Sequence, residues 1–337
     1  MAKKLFSQWF PGLVQLKHYQ REWFTNDFRA AFSVVAVALP VAIAYAQLTG
    51  VSAIVGLYSC VLPMLVYALM GTSRQLIVGP DAATCAVIAA VVTPLAAGDP
   101  TKHWQLVMTM TAMTGIWCVV ASRFNLGIFA DFLSRPILLG LLNGVALTII
   151  VSQFAKVVGW RYEQRYLLER LWEAPQRLTE VHWPTVTLSI ATVLVYLVTK
   201  RFRPAWPAAM LAILVTTTSV WLLHLQEMGV SVVGITQGGF PQIQAPTFEL
   251  GEVRELVVPA LNLAIVSFVS MMLTARSFAA KNGYDIDANK EFRALGFANI
   301  ASAFSQGFAI SGADSRTAVN DANGGKSQLV SIIAALT

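Results

Sequence analysis

Apolar runs long enough to cross a bilayer recur along the chain, separated by polar segments that are mostly short. A helix that spans about 30 Å of hydrocarbon needs roughly 20 predominantly apolar residues. Eight runs approach that length: 28–48, 53–70, 75–95, 104–121, 137–158, 183–198, 205–225 and 257–273. Two weaker runs follow at 295–308 and 315–336. The pattern predicts an all-α polytopic membrane protein with about ten spans.

Two of the polar segments are long. Residues 161–182 balance arginine against glutamate around Pro175, which predicts a surface hairpin or a short helix. Residues 228–255 contain VSVVGIT, which is typical of a strand, and QGGFPQIQAP, which is typical of turns. We expect both segments on the outer face of the membrane.

Composition agrees with a membrane protein and limits the function. Of 337 residues, 56% are hydrophobic and 12% are charged, whereas about a quarter of an ordinary soluble domain is charged. The net charge of +6 would suit a nucleic-acid partner, but lysine and arginine concentrate in alternate loops, as in proteins that obey the positive-inside rule. We therefore expect no nucleic acid, a cytoplasmic N-terminus, and an amphipathic lead-in over residues 1–27 at the cytoplasmic interface.

No motif indicates enzymatic chemistry or a resident cofactor. Cys60, Cys85 and Cys118 lie inside apolar runs without a CxxC or metal-ligand spacing, so we interpret them as packing residues. The histidines lie near loops and interfaces, and neither HExxH nor GxSxG occurs. We expect no enzyme, no metal and no cofactor.

Two apolar runs are broken in the same way. The run at 75–95 enters as LIV, breaks at Gly79-Pro80 and resumes after Asp81. The last run enters as FAI, passes Ser311-Gly312 and continues as ADSRTAVN. Inverted repeats with broken helices are typical of secondary transporters, whose half-helices meet near the membrane midplane. The matched breaks, GPDAAT at 79–84 and GADSRT at 312–317, therefore predict two half-helices whose N-termini point at one place.

Such a place suits an anion. A helix N-terminus presents unpaired N–H groups and the positive end of the helix dipole. Arg316 would add a guanidinium suited to an oxyanion. Thr84, Ser315 and Thr317 could donate hydroxyl hydrogen bonds.

Asp81 and Asp314 admit three interpretations. Each could cap its half-helix, which contributes roughly 1 kcal/mol. Each could instead carry a proton, because an ionisable group inside a span costs about 2.5 to 3.5 kcal/mol and is usually retained for a task, and a bound proton would remove its repulsion of the anion. Either could also form a permanent ion pair with Arg316. All three interpretations stay open, with H⁺ or Na⁺ as the coupling ion if there is one.

Several stretches resemble one known family. They are LPVAIAYAQLTGV at 39–51, GLYSCVLPMLVYALMGTSRQLIVGP at 56–80, FLSRPILLGLLNGVAL at 132–147, ARSFAAKNGYDIDANKEFRALGFANI at 275–300 and SGADSRTAVN at 311–320. They look like the characteristic segments of the SulP sulfate permeases, relatives of the animal anion exchangers and prestin. The match extends over nearly the whole chain with its motifs in order.

The resemblance implies a seven-plus-seven inverted-repeat fold with broken spans 3 and 10, in which a core domain moves against a gate domain as an elevator. The implied divisions are a cytoplasmic N-terminus at 1–27, core spans 1–4 at 28–124, gate spans 5–7 at 125–227, an extracellular loop at 228–256, and core spans 8–10 with the start of an eleventh at 257–337. The remaining gate spans and the STAS domain of many members would lie outside this sequence, so we expect a fragment of a longer protein.

The resemblance also implies a substrate site between the two half-helices, flanked by spans 1 and 8. Carried over by position, its residues are Tyr45, Asp81, Ala82, Ser270, Ala313, Asp314, Ser315 and Arg316. The sequence departs from many members in two places: Val41 stands where they have Gln, and Ser270 stands where many prokaryotic members have a Glu implicated in coupling. In this sequence the coupling carboxylate would have its counterpart in Asp81 or Asp314, where relatives often have a small, polar or apolar residue.

The implied function is secondary active transport of a small anion, sulfate first, then bicarbonate or a dicarboxylate. We expect an integral protein of a bacterial inner membrane, with a homodimer as a candidate assembly. There are two alternatives. One is a nucleobase permease of the same fold, in which the aspartates would bind a neutral base, and the other is a non-transporting membrane scaffold.

Overall fold

Helices account for most of the described chain. A computed structural model describes residues 8–125, 153–160, 167–203, 208–232 and 239–337, with isolated positions between 143 and 151. The chain divides into one unit of Met1–Leu138 with Gln237–Thr337 and a second unit of Leu139–Thr236. Most of the predicted run at 137–158 and the motif at 132–147 lie outside the described residues.

The elements follow the hydrophobic pattern closely. In chain order they are α1 (Pro11–Lys17), α2 (Phe24–Thr49), α3 (Ala53–Met70), β1 (Val78–Gly79), α4 (Ala82–Ala96), α5 (Pro100–Arg123), α6 (Leu167–Gln176), α7 (Trp183–Phe202), α8 (Ala208–Leu222), α9 (Leu250–Asn282), α10 (Ala288–Phe304), β2 (Ser311–Gly312), α11 (Asp314–Ala322) and α12 (Leu329–Leu336). Two single 3₁₀ turns lie at Arg21–Trp23 and Leu178–Glu180.

Several helices are long and apolar enough to cross a membrane. Within the described ranges there are five such segments: Arg21–Thr49, α3, α5, α7 and α9. The count of about ten spans stays a prediction. The expected single run at 315–336 is wrong in one respect, because α11 ends at Ala322 and α12 begins only at Leu329. Gly324 between them has φ +79°, a left-handed conformation that glycine adopts without a steric penalty and that a continuous helix cannot contain.

In the first unit, helices pack closely where small residues face each other. A Cβ added to Gly115 of α5 would lie 2.7 Å from the carbonyl oxygen of Gly296 in α10. The two helices therefore approach backbone to backbone. Tyr67 of α3 and Phe268 of α9 are among the largest fully buried side chains of the same unit, and they fill its core between the crossing helices.

Two short strands join the halves of the first unit. β1 pairs antiparallel with β2, with Val78 opposite Gly312 and Gly79 opposite Ser311. A half-helix follows each strand almost at once, α4 after β1 and α11 after β2. The residues LIV and FAI lie in two short non-helical segments, 71–78 and 305–310, which we call the first and second stubs. They lead into β1 and β2, which pair with each other.

The second unit is built around its own small cluster. Ala155, Val158 and Trp160 are buried there and pack against Val181 and Val186. The predicted short helix in the loop at 161–182 is present as α6. Residues 230–232 are not in a strand, and the rest of VSVVGIT lies at positions that the structure does not describe.

Candidate functional site

The two half-helices start from the same pair of strands. The first N–H groups of any helix have no acceptor within the helix. Because Gly79 lies opposite Ser311 in the β1–β2 pair, the N-termini of α4 and α11 begin on either side of one short antiparallel bridge. Ala313, which precedes α11, donates its N–H to the Ile77 carbonyl at 2.8 Å and extends the pairing. The sequence therefore brings two positive helix ends to one place.

Side chains of α11 fasten the first stub. The hydroxyl oxygen of Thr317 accepts a hydrogen bond from the Ile77 N–H at 3.0 Å. Arg316 donates from Nη2 to the Pro80 carbonyl oxygen. A Cβ at Gly79 would collide with the Arg316 guanidinium, so glycine at this position gives the guanidinium room beside the backbone.

Side chains of α9 and α10 fasten the second stub. Asn299 accepts from the Ile310 N–H at 2.8 Å and also donates to the Ile310 carbonyl at 3.3 Å. Ser302 donates to the Phe308 carbonyl at 2.6 Å. Ser267 donates to the Ile310 carbonyl at 2.9 Å, and Ser311 returns a bond to the Ser267 carbonyl at 2.6 Å. Buried backbone groups that a broken helix leaves open are thereby satisfied.

Asp81 caps α4. Its carboxylate accepts from the Thr84 N–H at 3.1 Å and from the Thr84 hydroxyl, and its other oxygen accepts from Ser270 at 3.5 Å. The side chain is half-buried. The capping interpretation thus describes the geometry of Asp81, and a coupling role remains a prediction.

Asp314 does not cap α11. The N-cap position is Ala313, which makes no side-chain capping bond, and Asp314 is the first helical residue. Its carboxylate instead accepts from the hydroxyl of Thr274 on α9. Asp314 and the next residue, Ser315, are both exposed.

Arg316 is fully buried and lies against the first break. Besides the Pro80 bond, Nη1 lies 3.6 Å from the Cys60 sulfur, and Nε has no hydrogen-bond partner. Among the described residues, no ion pair joins Arg316 to Asp81 or Asp314, so the permanent pair that we considered is absent from this structure. An oxyanion contact by Arg316 stays a prediction.

The other predicted residues lie around the same breaks. Tyr45 of α2 is half-buried and packs against a buried cluster that includes Cys85 of α4 and Phe308. Ala82 is half-buried at the start of α4, Ala313 is buried before α11, and Ser270 is buried on α9.

Two of the three expected hydroxyl donors have structural partners. Thr84 donates to Asp81, and Thr317 accepts from Ile77. Both threonines are fully buried, whereas Ser315 is exposed. Sequence reasoning missed Thr274 and the Arg316 contact of Cys60; the available signal for Thr274 was its spacing, one helical turn after Ser270 on the same face.

Within the described ranges, no group of three or more His, Cys, Asp or Glu residues could hold a metal ion. The groups that the structure brings to the breaks include helix amides, hydroxyls, the carboxylates of Asp81 and Asp314 and the guanidinium of Arg316.

Comparison with known proteins matches most of the chain to one family. The model of the Sulfate permease family matches residues 24–337. A probable sulfate transporter of Mycobacterium tuberculosis is 38% identical over 326 residues, which are 97% of this chain and 58% of that protein. Sulfate transporter 2.1 of Arabidopsis thaliana is 31% identical over 97% of this chain and 51% of its own length. The chain spans about half the length of the curated relatives it matches.

Solved structures agree on the fold. Murine Solute Carrier 26 family member A9, an anion transporter in the inward-facing state, superimposes with a TM-score of 0.91 at 24% identity, over 100% of this chain and 59% of that one. The transmembrane domain of the cyanobacterium bicarbonate transporter BicA gives a TM-score of 0.83 at 23% identity, over 94% and 82% of the two chains. The expected fold class of a helical transporter is confirmed.

Proposed function

Because the chain belongs to the Sulfate permease family, we propose that it carries the substrate site of a secondary active transporter for a small anion. The observation that supports this most is the pair of helix N-termini that begin on one β1–β2 bridge. Amides and dipoles at such ends bind an anion without a full countercharge. The site would comprise Tyr45, Asp81, Ala82, Ser270, Ala313, Asp314, Ser315 and Arg316.

Sulfate is the first candidate substrate, with bicarbonate or a dicarboxylate next. Relatives named as sulfate transporters support sulfate, and a structural neighbour named as a bicarbonate transporter supports the second candidate. We propose that the half-helices carry the anion across the bilayer in an elevator-type motion. The setting would be a bacterial inner membrane, with the N-terminus in the cytoplasm and a homodimer as the assembly.

Uptake of radiolabelled sulfate by liposomes containing the full-length protein tests the substrate. We expect uptake that unlabelled sulfate abolishes, that bicarbonate or fumarate reduces, and that uracil leaves unchanged. Competition by uracil alone would instead support a nucleobase permease. Liposomes that take up and bind none of these anions would overturn the proposal.

Coupling is proposed to run through Asp81 or Asp314, with H⁺ or Na⁺ as the ion. Asp81→Asn and Asp314→Asn remove one charge each, and asparagine caps a helix about as well as aspartate, so the first variant keeps α4 capped. We expect at least one variant to lose the dependence of sulfate uptake on an imposed pH or sodium gradient. If both variants retain the wild-type dependence, neither aspartate couples transport.

A further inference from the structure

Helix α9 is fixed in register against β2 and the start of α11. The Ser267 hydroxyl donates to the Ile310 carbonyl at 2.9 Å, and the Ser311 hydroxyl donates to the Ser267 carbonyl at 2.6 Å. One turn further along α9, a Cβ added to Gly312 would lie 2.9 Å from the Met271 Cα. Glycine therefore lets the α9 backbone touch the last residue of β2, and the following turn of α9 reaches α11.

Thr274 occupies that following turn. Its side chain is buried, with 5% exposed, and its hydroxyl donates to Oδ1 of Asp314. The carbonyl of Ser270 is a second acceptor, 3.2 Å away, and it is the default partner of a threonine inside a helix. A threonine hydroxyl has one hydrogen, so the Asp314 carboxylate and the Ser270 carbonyl compete for it, and the contact with Asp314 links α9 to α11.

The two half-helices differ in how their first turns are occupied. Asp81 caps α4 through the Thr84 N–H, whereas no side chain caps α11. A carboxylate in a first turn is attracted to the same amides and the same dipole that would bind a substrate anion. Asp314 is such a carboxylate, and its bond to Thr274 holds it on the α9 side.

We propose that Thr274 is a positioning residue that keeps the Asp314 carboxylate off the uncapped amides of α11, so that this helix end stays open to the anion. The inference rests on the proposed function and adds to it that α11, rather than α4, provides the main amide contact. Thr274 itself need not touch the substrate.

Sulfate transport by the full-length protein in liposomes tests this role. Thr274→Val removes the hydroxyl at nearly constant shape, and Thr274→Ser keeps it. We expect Thr274→Val to raise the KM for sulfate by about tenfold or more, since a hydrogen bond to a charged group is lost, with a smaller change in kcat. Thr274→Ser should restore the wild-type KM. Thr111→Val is the matched control, because the buried Thr111 hydroxyl donates to the Val107 carbonyl on α5, and its KM should be unchanged.

A second comparison separates positioning from a general packing defect. In the Asp314→Asn background the competing charge is gone, so adding Thr274→Val should change the KM by less than about twofold. An unchanged KM in Thr274→Val, or an equal rise in both backgrounds, would overturn the inference while the proposed function stands. If Thr274→Val does not fold, Thr274→Ala takes its place in both backgrounds. Wild-type liposomes without any sulfate uptake would overturn the proposed function and this inference together.

Discussion

The two breaks of the first unit look alike in sequence and differ in their contacts. GPDAAT and GADSRT each place an aspartate two residues after a glycine. Asp81 caps its own half-helix, while Asp314 is held by Thr274 of a neighbouring helix. Aspartates at matched positions therefore have different partners. We infer that the helix packed beside each aspartate determines whether the first N–H groups of the half-helix remain free to bind an anion.

The extended stubs before the two breaks are also held by different chemistry. Glu291, fully buried on α10, accepts from the Tyr67 hydroxyl at 2.6 Å, from the Thr72 N–H at 2.6 Å and hydroxyl at 2.5 Å, and from the Ser73 N–H at 3.2 Å. The second stub is held by the neutral amide of Asn299 and by serine hydroxyls. Charged groups, Glu291 at one end and Arg316 at the other, take part in holding the first stub, whereas neutral groups hold the second.

The largest effect should come from Glu291→Leu. The change leaves the donors of Tyr67, Thr72 and Ser73 buried without their acceptor, and each such group costs about 1–3 kcal/mol. We expect a loss of several kcal/mol, seen as little monodisperse protein after detergent extraction and a large fall in the unfolding midpoint. Glu255→Leu, at an exposed position of α9, is the control. Wild-type stability of Glu291→Leu would show that the first stub does not depend on this carboxylate.

A smaller loss is expected from Asn299→Leu at the second stub. Ile310 loses the acceptor of its N–H, but its carbonyl still accepts from Ser267. We therefore expect a loss of about 1–3 kcal/mol, measured by unfolding in mixed detergent and SDS. Asn323→Leu is the control, since Asn323 follows α11 directly and its side chain donates to the nearby Val319 carbonyl of that helix. A loss as large as that of Glu291→Leu would contradict the difference between the two stubs.

The smallest expected change in stability comes from replacing the two aspartates, and it should differ between them. Asp81→Ala removes a cap and should lower the free energy of unfolding by about 1 kcal/mol, whereas Asp81→Asn should restore it. Asp314→Ala removes no cap, so we expect a loss below about 0.5 kcal/mol. The same unfolding titration measures all three variants. Equal losses of unfolding free energy for Asp81→Ala and Asp314→Ala would contradict the conclusion that only Asp81 caps its helix.

The sequence predicts the breaks because glycine and proline mark them directly. The starts of α4 and α11 follow Gly79-Pro80 and Ser311-Gly312 as expected, and the apolar runs give most described helix bounds within a few residues. The pairing of β1 with β2 could not be predicted, because two residues per strand are too few for an alternating pattern. The split between α11 and α12 was missed because apolar residues resume soon after Gly324.

The direction of buried polar side chains was the least predictable part of the site. Arg316 points to Pro80 through tertiary packing that its position on α11 does not reveal. Glu291 stands between Lys290 and Arg293 in a segment that looks solvent-exposed, although it is fully buried. Thr274 resembles an ordinary threonine in a membrane helix, whose hydroxyl bonds to the preceding turn.

The pairing of Val78 with Gly312 also has a consequence for biogenesis. At about 5–20 residues per second, a ribosome needs roughly 10–50 seconds to synthesise the chain between the two strands. During that delay, the first stub has already been translated, but its partner strand and the α10 and α11 side chains that fasten it have not. Defects in the second half of the chain should therefore appear as failed maturation of a segment made long before them.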